Sequence, residues 1–116
     1  MNGICHIEIP SKDFDKARTF YGDVFGWKFK EMKEMNYLTF EAPDGINGGF
    51  TNEAEPATKP GILIYIEVED IMATIKKCGD VGGATVVGKT QISPDFGYFA
   101  MLKDLEGNQI GLWAKN

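Results

Sequence analysis

Apolar and polar side chains alternate along several short stretches of the chain. Ile4 to Ile9 and Tyr37 to Glu41 show the period of two that predicts a half-buried strand. Other short runs are rich in β-branched and aromatic residues and are bounded by Gly, Pro or Asp, as strands often are. The predicted strands are residues 4–9, 27–32, 37–41, 46–52, 62–68, 84–89, 96–103 and 109–114.

Two stretches instead show helical spacing. Apolar residues recur every three or four positions over residues 13–24 and again over residues 70–80. Asp13 (or Ser11) and Asp70 are suitable N-caps, and Gly26 is a helix stop. Each helix therefore follows one strand and precedes three.

The two halves of the chain repeat one another. Gly22-Asp23-Val24 returns as Gly79-Asp80-Val81 at an offset of 57, and Asp44-Gly45 returns as Glu106-Gly107 at an offset of 62. Such a repeat predicts a duplicated unit. We therefore expect one domain of residues 1–116, with module one at 1–52, a polar linker at 53–61 and module two at 62–116.

The alternation divides the strand residues between two faces. The set predicted to face the helices is Leu38, Phe40, Ile62, Ile64, Ile66, Ile110 and Leu112. The set predicted on the opposite face is His6, Glu8, Tyr37, Thr39, Leu63, Tyr65, Phe99, Met101, Gly111 and Trp113. A face of this aromatic and mixed polarity suits a small-molecule site. Burial against the other half or a second copy is the alternative. Trp27 is expected to pack rather than bind.

Composition and charge limit the classes of partner. The chain has 116 residues, 43% hydrophobic and 25% charged, with a net charge of −5. An acidic chain argues against nucleic acid and anionic membranes. No apolar run could span a bilayer and no leader is evident, so we expect a cytoplasmic protein. The two cysteines, Cys5 and Cys78, are expected to be reduced core thiols.

One motif is a formal match only. Residues 83–90 fit the phosphate-loop pattern GxxxxGK[ST]. That loop must lead into a helix, whereas this stretch consists of strand formers followed by a turn at Pro94. We therefore expect a strand and no nucleotide site.

Two further stretches resemble a known superfamily. They are residues 13–27, with Asp13-Phe14 and Val24-Phe25-Gly26-Trp27, and residues 97–113, with Glu106-Gly107-Asn108-Gln109. The chain resembles the vicinal-oxygen-chelate superfamily, which includes glyoxalase I, extradiol dioxygenases and bleomycin-resistance proteins. The resemblance implies an α+β fold of two tandem βαβββ modules. They would form an open, cup-shaped mixed sheet with helices on the outer face, commonly in a homodimer.

The resemblance also implies where metal ligands would stand. Metal enzymes of the superfamily take them from the first and last strands of each module. Those positions here are His6, Gly49 (or Gly48), Leu63 and Gly111. A catalytic metal needs about three protein ligands, so we expect no metal and no other cofactor. Glu8 and Glu67 are the candidates for a rebuilt site, although carboxylates at strand ends are commonly solvated.

Three functions stay open from the sequence. The first is metal-free binding of a small, partly aromatic or amphipathic molecule by His6, Glu8, Tyr37, Leu63, Tyr65, Phe99, Met101 and Trp113. The second is a metal-free lyase or isomerase in which His6 is a base supported by Glu8. The third is a face that serves dimerisation alone.

Overall fold

The computed structural model describes residues 1–116 and divides them into two compact units, residues 1–56 and residues 57–116. Each unit contains one helix and one four-stranded mixed sheet. The α+β class and the tandem βαβββ modules predicted from the sequence are confirmed. No helix in the chain is both long and apolar enough to cross a membrane.

Unit one, residues 1–56, has its strands in the order β1-β4-β3-β2. The strand β1 is parallel to β4, and the other neighbours are antiparallel. A short 3₁₀ turn at Lys33–Met35 joins the second and third strands. The elements are β1 Ile7–Pro10, α1 Phe14–Phe25, β2 Lys28–Met32, β3 Tyr37–Glu41 and β4 Gly48–Thr51.

Unit two, residues 57–116, repeats this arrangement with the order β5-β8-β7-β6. Its first strand is again parallel to its last. The edge strand β6, Ala84–Ser93, includes the predicted strand at residues 84–89. All but the first residue of the phosphate-loop match therefore lies in a strand. The elements are β5 Tyr65–Glu67, α2 Ile71–Asp80, β6 Ala84–Ser93, β7 Gly97–Lys103 and β8 Gln109–Ala114.

The predicted repeat is visible in backbone angles. Asp13 and Asp70 cap their helices with φ of −139° in both and ψ of 101° and 106°. Each aspartate side chain accepts a hydrogen bond from a first-turn N–H group, which satisfies a donor that the helix leaves unpaired. Gly45 and Gly107 both have φ of +93°, which glycine adopts without strain.

Each helix covers one face of its own sheet with apolar side chains. In unit one, Tyr21 on α1 packs on Phe50, with ring centroids 5.1 Å apart, and Trp27 stacks on Phe40 at 4.2 Å. Trp27 is half-buried and packs on Phe40, as predicted. In unit two the buried apolar side chains include Ile71, Cys78, Ala100, Leu102, Ile110, Leu112 and Ala114. Burial, with a smaller effect of the Asp104 charge, raises the pKa of the Cys78 thiol.

Two predictions of burial are wrong. Cys5 is exposed, and Ile62 is 96% exposed. Both lie before the first strand of their unit, because β1 begins only at Ile7 and β5 only at Tyr65. The alternation continues before both strands, but the parallel pairing begins only at Ile7 with Gly48 and at Tyr65 with Gly111, so Cys5 and Ile62 lie outside the paired part of each sheet.

Candidate functional site

The side chains of His6, Tyr37 and Glu8 form a polar cluster in unit one, on the sheet face opposite α1. Nε2 of His6 lies 2.6 Å from the hydroxyl oxygen of Tyr37, and the two rings are stacked with centroids 6.1 Å apart. His6 and Glu8 are exposed, whereas Tyr37 is half-buried. Burial raises the pKa of Tyr37 to about 12, together with a hydrogen bond to Glu8 and the charge of Glu8. The hydroxyl of Tyr37 is therefore neutral at physiological pH.

Gly49 is the reason that Tyr37 fits against the sheet. Gly49 pairs with Glu8 on one side and with Thr39 on the other. A Cβ atom on Gly49 would overlap the ring and hydroxyl of Tyr37. The ring thus occupies the space that any side chain at position 49 would need. Gly48 points to the other face, where a Cβ would meet the Ile7 backbone and Phe40.

Unit two contains a matching arrangement. Gly111 pairs with Tyr65 on the neighbouring parallel strand. A Cβ atom on Gly111 would lie 2.6–2.9 Å from three carbons of the Tyr65 ring, closer than real Cβ contacts. Tyr65 itself is 51% exposed, so one side of its ring covers the glycine and the other is open.

The other residues of unit two that were predicted for the site differ in how deeply they are buried. Phe99 is paired with Trp113, and both are half-buried on the face opposite α2. The indole N–H of Trp113 donates a 2.7 Å hydrogen bond to the Phe96 carbonyl, which fixes the ring. Met101 pairs with Gly111 but is only 7% exposed. Leu63 is half-buried and precedes β5.

The structure therefore brings His6, Glu8 and Tyr37 together in unit one, and groups Tyr65, Phe99, Met101 and Trp113 in unit two. Sequence reasoning missed the contact of Tyr37 with His6. It also missed that each glycine is covered by a tyrosine. The signal for the cover over Gly49 was the turn at Pro43-Asp44-Gly45, which places the strand of Tyr37 beside the strand of Gly49.

Comparisons with known proteins identify the family. A family model described as bleomycin resistance protein-like N-terminal matches residues 4–43. A glyoxylase-like domain-containing protein of Didymella fabae is 35% identical over 112 residues, which cover 90% of this chain and 88% of that protein. The chain belongs to the glyoxalase-like proteins of the vicinal-oxygen-chelate superfamily.

Another relative of this glyoxalase-like chain is a lactoylglutathione lyase of Schizosaccharomyces pombe, 32% identical over 106 residues. They cover 85% of this chain but only 32% of the lyase, so the chain spans about a third of that relative's length.

Solved structures show the same fold at low identity. The fosfomycin resistance protein FosX of Listeria monocytogenes, solved with Mn(II) and sulfate, matches with a TM-score of 0.80 at 14% identity. The match covers 100% of this chain and 92% of FosX. A glyoxalase/bleomycin resistance/dioxygenase family enzyme of Burkholderia phytofirmans matches with a TM-score of 0.77 at 16% identity, covering 96% and 97% of the two chains.

The glyoxalase-like chain does not fit the metal centre that its superfamily implies. Of the four ligand positions, only His6 carries a donor side chain. A carboxylate at position 49 or 111 would collide with Tyr37 or Tyr65. No group of three or more His, Cys, Asp or Glu side chains is placed to hold a metal, so neither Glu8 nor Glu67 belongs to such a group. One imidazole is too few for a catalytic site.

Proposed function

We propose that this protein binds a small, partly aromatic or amphipathic molecule without a metal, on the sheet faces opposite its helices. The observation that carries the proposal is the pair of glycines covered by tyrosine rings, Gly49 by Tyr37 and Gly111 by Tyr65. At both positions a tyrosine ring stands where a metal-binding relative would need a carboxylate, and at Gly49 the Tyr37 hydroxyl lies there as well.

The chemistry of the two faces supports an organic ligand. Unit two presents the exposed side of Tyr65 beside the half-buried rings of Phe99 and Trp113. Unit one presents the polar groups of His6 and Glu8. Apolar rings with a few placed polar groups are the usual lining of small-molecule sites.

Trp113 provides the binding assay. The chain has two tryptophans, and the Trp27→Phe variant leaves Trp113 as the single reporter while a ring still packs on Phe40. In this background we would titrate a panel of neutral, cationic and anionic aromatic compounds and follow the Trp113 emission. We expect saturable changes with neutral or cationic compounds, because a bound ring changes the surroundings of the indole.

Two variants test the location of binding. The double variant His6→Ala with Tyr65→Ala should abolish the Trp113 response to the compounds that bind. Lys16→Ala with Lys77→Ala, both on exposed positions of the helices, is the matched control. If every active compound binds the His6/Tyr65 variant as well as the control, the proposed faces are not the site.

Elemental analysis tests the metal-free part of the proposal. Protein purified without a chelator should contain no stoichiometric zinc, nickel or iron, because its donor set falls short of three ligands. Stoichiometric metal that disappears in His6→Ala would overturn this part.

A second candidate function is a metal-free lyase or isomerase, favoured by the contact of His6 with Tyr37. His6 would act as the base, and Glu8 would support it through Tyr37. Turnover of the methylglyoxal–glutathione adduct in chelated buffer, lost in His6→Ala, would favour this candidate over binding alone. The predicted homodimer is a separate proposal, which sedimentation of the intact chain would test.

A further inference from the structure

The hydrogen-bonding capacities of three side chains determine the direction of their contacts. A carboxylate only accepts hydrogen bonds, and a tyrosine hydroxyl has a single proton. If Tyr37 gives this proton to Glu8, its oxygen can only accept from His6. The 2.6 Å contact then requires that His6 carry its proton on Nε2.

The backbone register places Glu8 where Tyr37 can reach it. Glu8 and Gly49 are directly paired on the same face, and the hydroxyl of Tyr37 lies over the vacant Cβ position of Gly49. Neighbouring strands lie about 5 Å apart, so the paired positions of Glu8 and Gly49 are within reach of one another. The hydroxyl is thus held between His6 on one side and Glu8 on the other.

We infer that Tyr37 joins Glu8 to His6 in one hydrogen-bonded chain, and that this chain leaves the Nδ1 lone pair of His6 as the acceptor for ligands that donate a hydrogen bond. The inference deepens the proposed function and, for the ligand class, rests on it. His6 is exposed, and its contact with Tyr37 uses Nε2, so Nδ1 takes no part in that contact.

The same series of hydrogen bonds from Glu8 through Tyr37 to His6 selects the charge of the ligand. A neutral imidazole offers a lone pair to an O–H or N–H group, and the nearby carboxylate of Glu8 repels anions. Tyr37 cannot offset this repulsion because its proton already serves Glu8. The face of unit one therefore takes neutral or cationic hydrogen-bond donors such as phenols and ammonium groups, and it rejects carboxylates.

Nitrogen NMR of His6 tests the chain directly. His6 is the single histidine, so its imidazole signals need no assignment. At about pH 8.5, above the ordinary range for imidazole protonation, we expect the wild type to show one tautomer, protonated on Nε2. Tyr37→Phe should produce a mixture of tautomers, whereas Tyr98→Phe, the matched control, should not. A proton on Nδ1 in the wild type, or no change of tautomer in Tyr37→Phe, would contradict the hydrogen-bonded connection of Glu8, Tyr37 and His6.

Four probes test the ligand class: phenol, anisole, benzylamine and benzoate. Phenol and benzylammonium should shift the His6 Nδ1 resonance and bind about three- to tenfold more tightly than anisole, the range for one net hydrogen bond. Benzoate should bind weakly in the wild type and more tightly in Glu8→Gln, but not in the control Glu69→Gln. If benzoate binds the wild type as tightly as phenol, the ligands are not restricted to neutral or cationic hydrogen-bond donors. If no probe shifts His6 although the Nε2 tautomer is present, the proposed ligand site on unit one fails.

Discussion

The two units have the same frame and different exposed faces. Both follow one strand order, both cap their helix with an aspartate, and both turn at a glycine with φ of +93°. Yet unit one exposes a polar cluster around His6, and unit two exposes the Tyr65 ring. The shared backbone arrangement depends on helix caps, turns and the alternation of buried residues. The exposed face of each sheet depends on a few side chains that this backbone arrangement does not determine.

The tyrosines show this freedom most clearly. The offsets relate Gly49 to Gly111, but they relate Tyr37 to Phe99 and Tyr65 to Glu8. The ring over Gly49 comes from the antiparallel neighbour, and the ring over Gly111 comes from the parallel neighbour. Each unit therefore covers its glycine with a ring from a different neighbouring strand, and the ring over Gly49 also contacts His6.

The largest difference between the units is expected at position 48. A Cβ on Gly48 would meet the backbone carbonyl of Ile7, which cannot move aside, whereas the equivalent residue of unit two is the buried Ile110. Gly48→Ala should lower the free energy of unfolding by about 3 kcal/mol or more, at the upper end for overpacking. Ile110→Val should cost about 1 kcal/mol. Urea denaturation of both variants would measure this, and equal losses would contradict the expected contrast.

The two covered glycines should respond differently to a methyl group. Gly49→Ala should cost about 1–3 kcal/mol, because Tyr37 is held by its hydrogen bonds and must break them to move. Gly111→Ala should cost less, since Tyr65 is 51% exposed and can rotate into solvent. In the double variant Gly49→Ala with Tyr37→Ala, the clash disappears and the two losses should not add. Additive losses in urea denaturation would show that the methyl group and the ring do not compete for space.

The helix caps should behave alike in the two units. Asp13→Ala and Asp70→Ala each remove one bond from a carboxylate to a first-turn N–H, with nearly identical backbone angles. Each should cost about 1 kcal/mol. The matched controls, Asp13→Asn and Asp70→Asn, retain the acceptor and should cost little. Thermal melts of the four variants would reveal a mismatch, which would mean that the frame is less similar than its angles suggest.

The smallest expected effect is a dependence on alkaline pH confined to unit one. The pKa of Tyr37 is raised from 10.0 to about 12, so the stability from its neutral hydroxyl is complete below pH 10 and is lost between pH 10 and 12. Because Tyr37 is partly solvated, this loss should stay below about 1 kcal/mol. The wild type should therefore lose more stability than Tyr37→Phe over this range, and Tyr98→Phe should match the wild type. Equal pH dependence of wild type and Tyr37→Phe would argue against the shift.

The sequence was sufficient for the parts of the fold that depend on local chemistry. Asp13, Gly26 and Gly45 each act within a few residues, so their positions could be read directly. The alternation also placed Leu112 and Trp113 on opposite faces. It failed at Cys5 and Ile62, because alternation does not show at which residue the strand pairing begins.

The cover over Gly49 and Gly111 also restricts how this chain can change by mutation. Replacing Gly49 with glutamate would first collide with Tyr37, and removing Tyr37 first would leave the chain without either a ring or a carboxylate. The same order of losses applies to Gly111 and Tyr65. Each single step toward a carboxylate at these positions is therefore expected to lower stability or remove the ring. The tyrosine–glycine pairs thus oppose a gradual gain of metal ligands at either position.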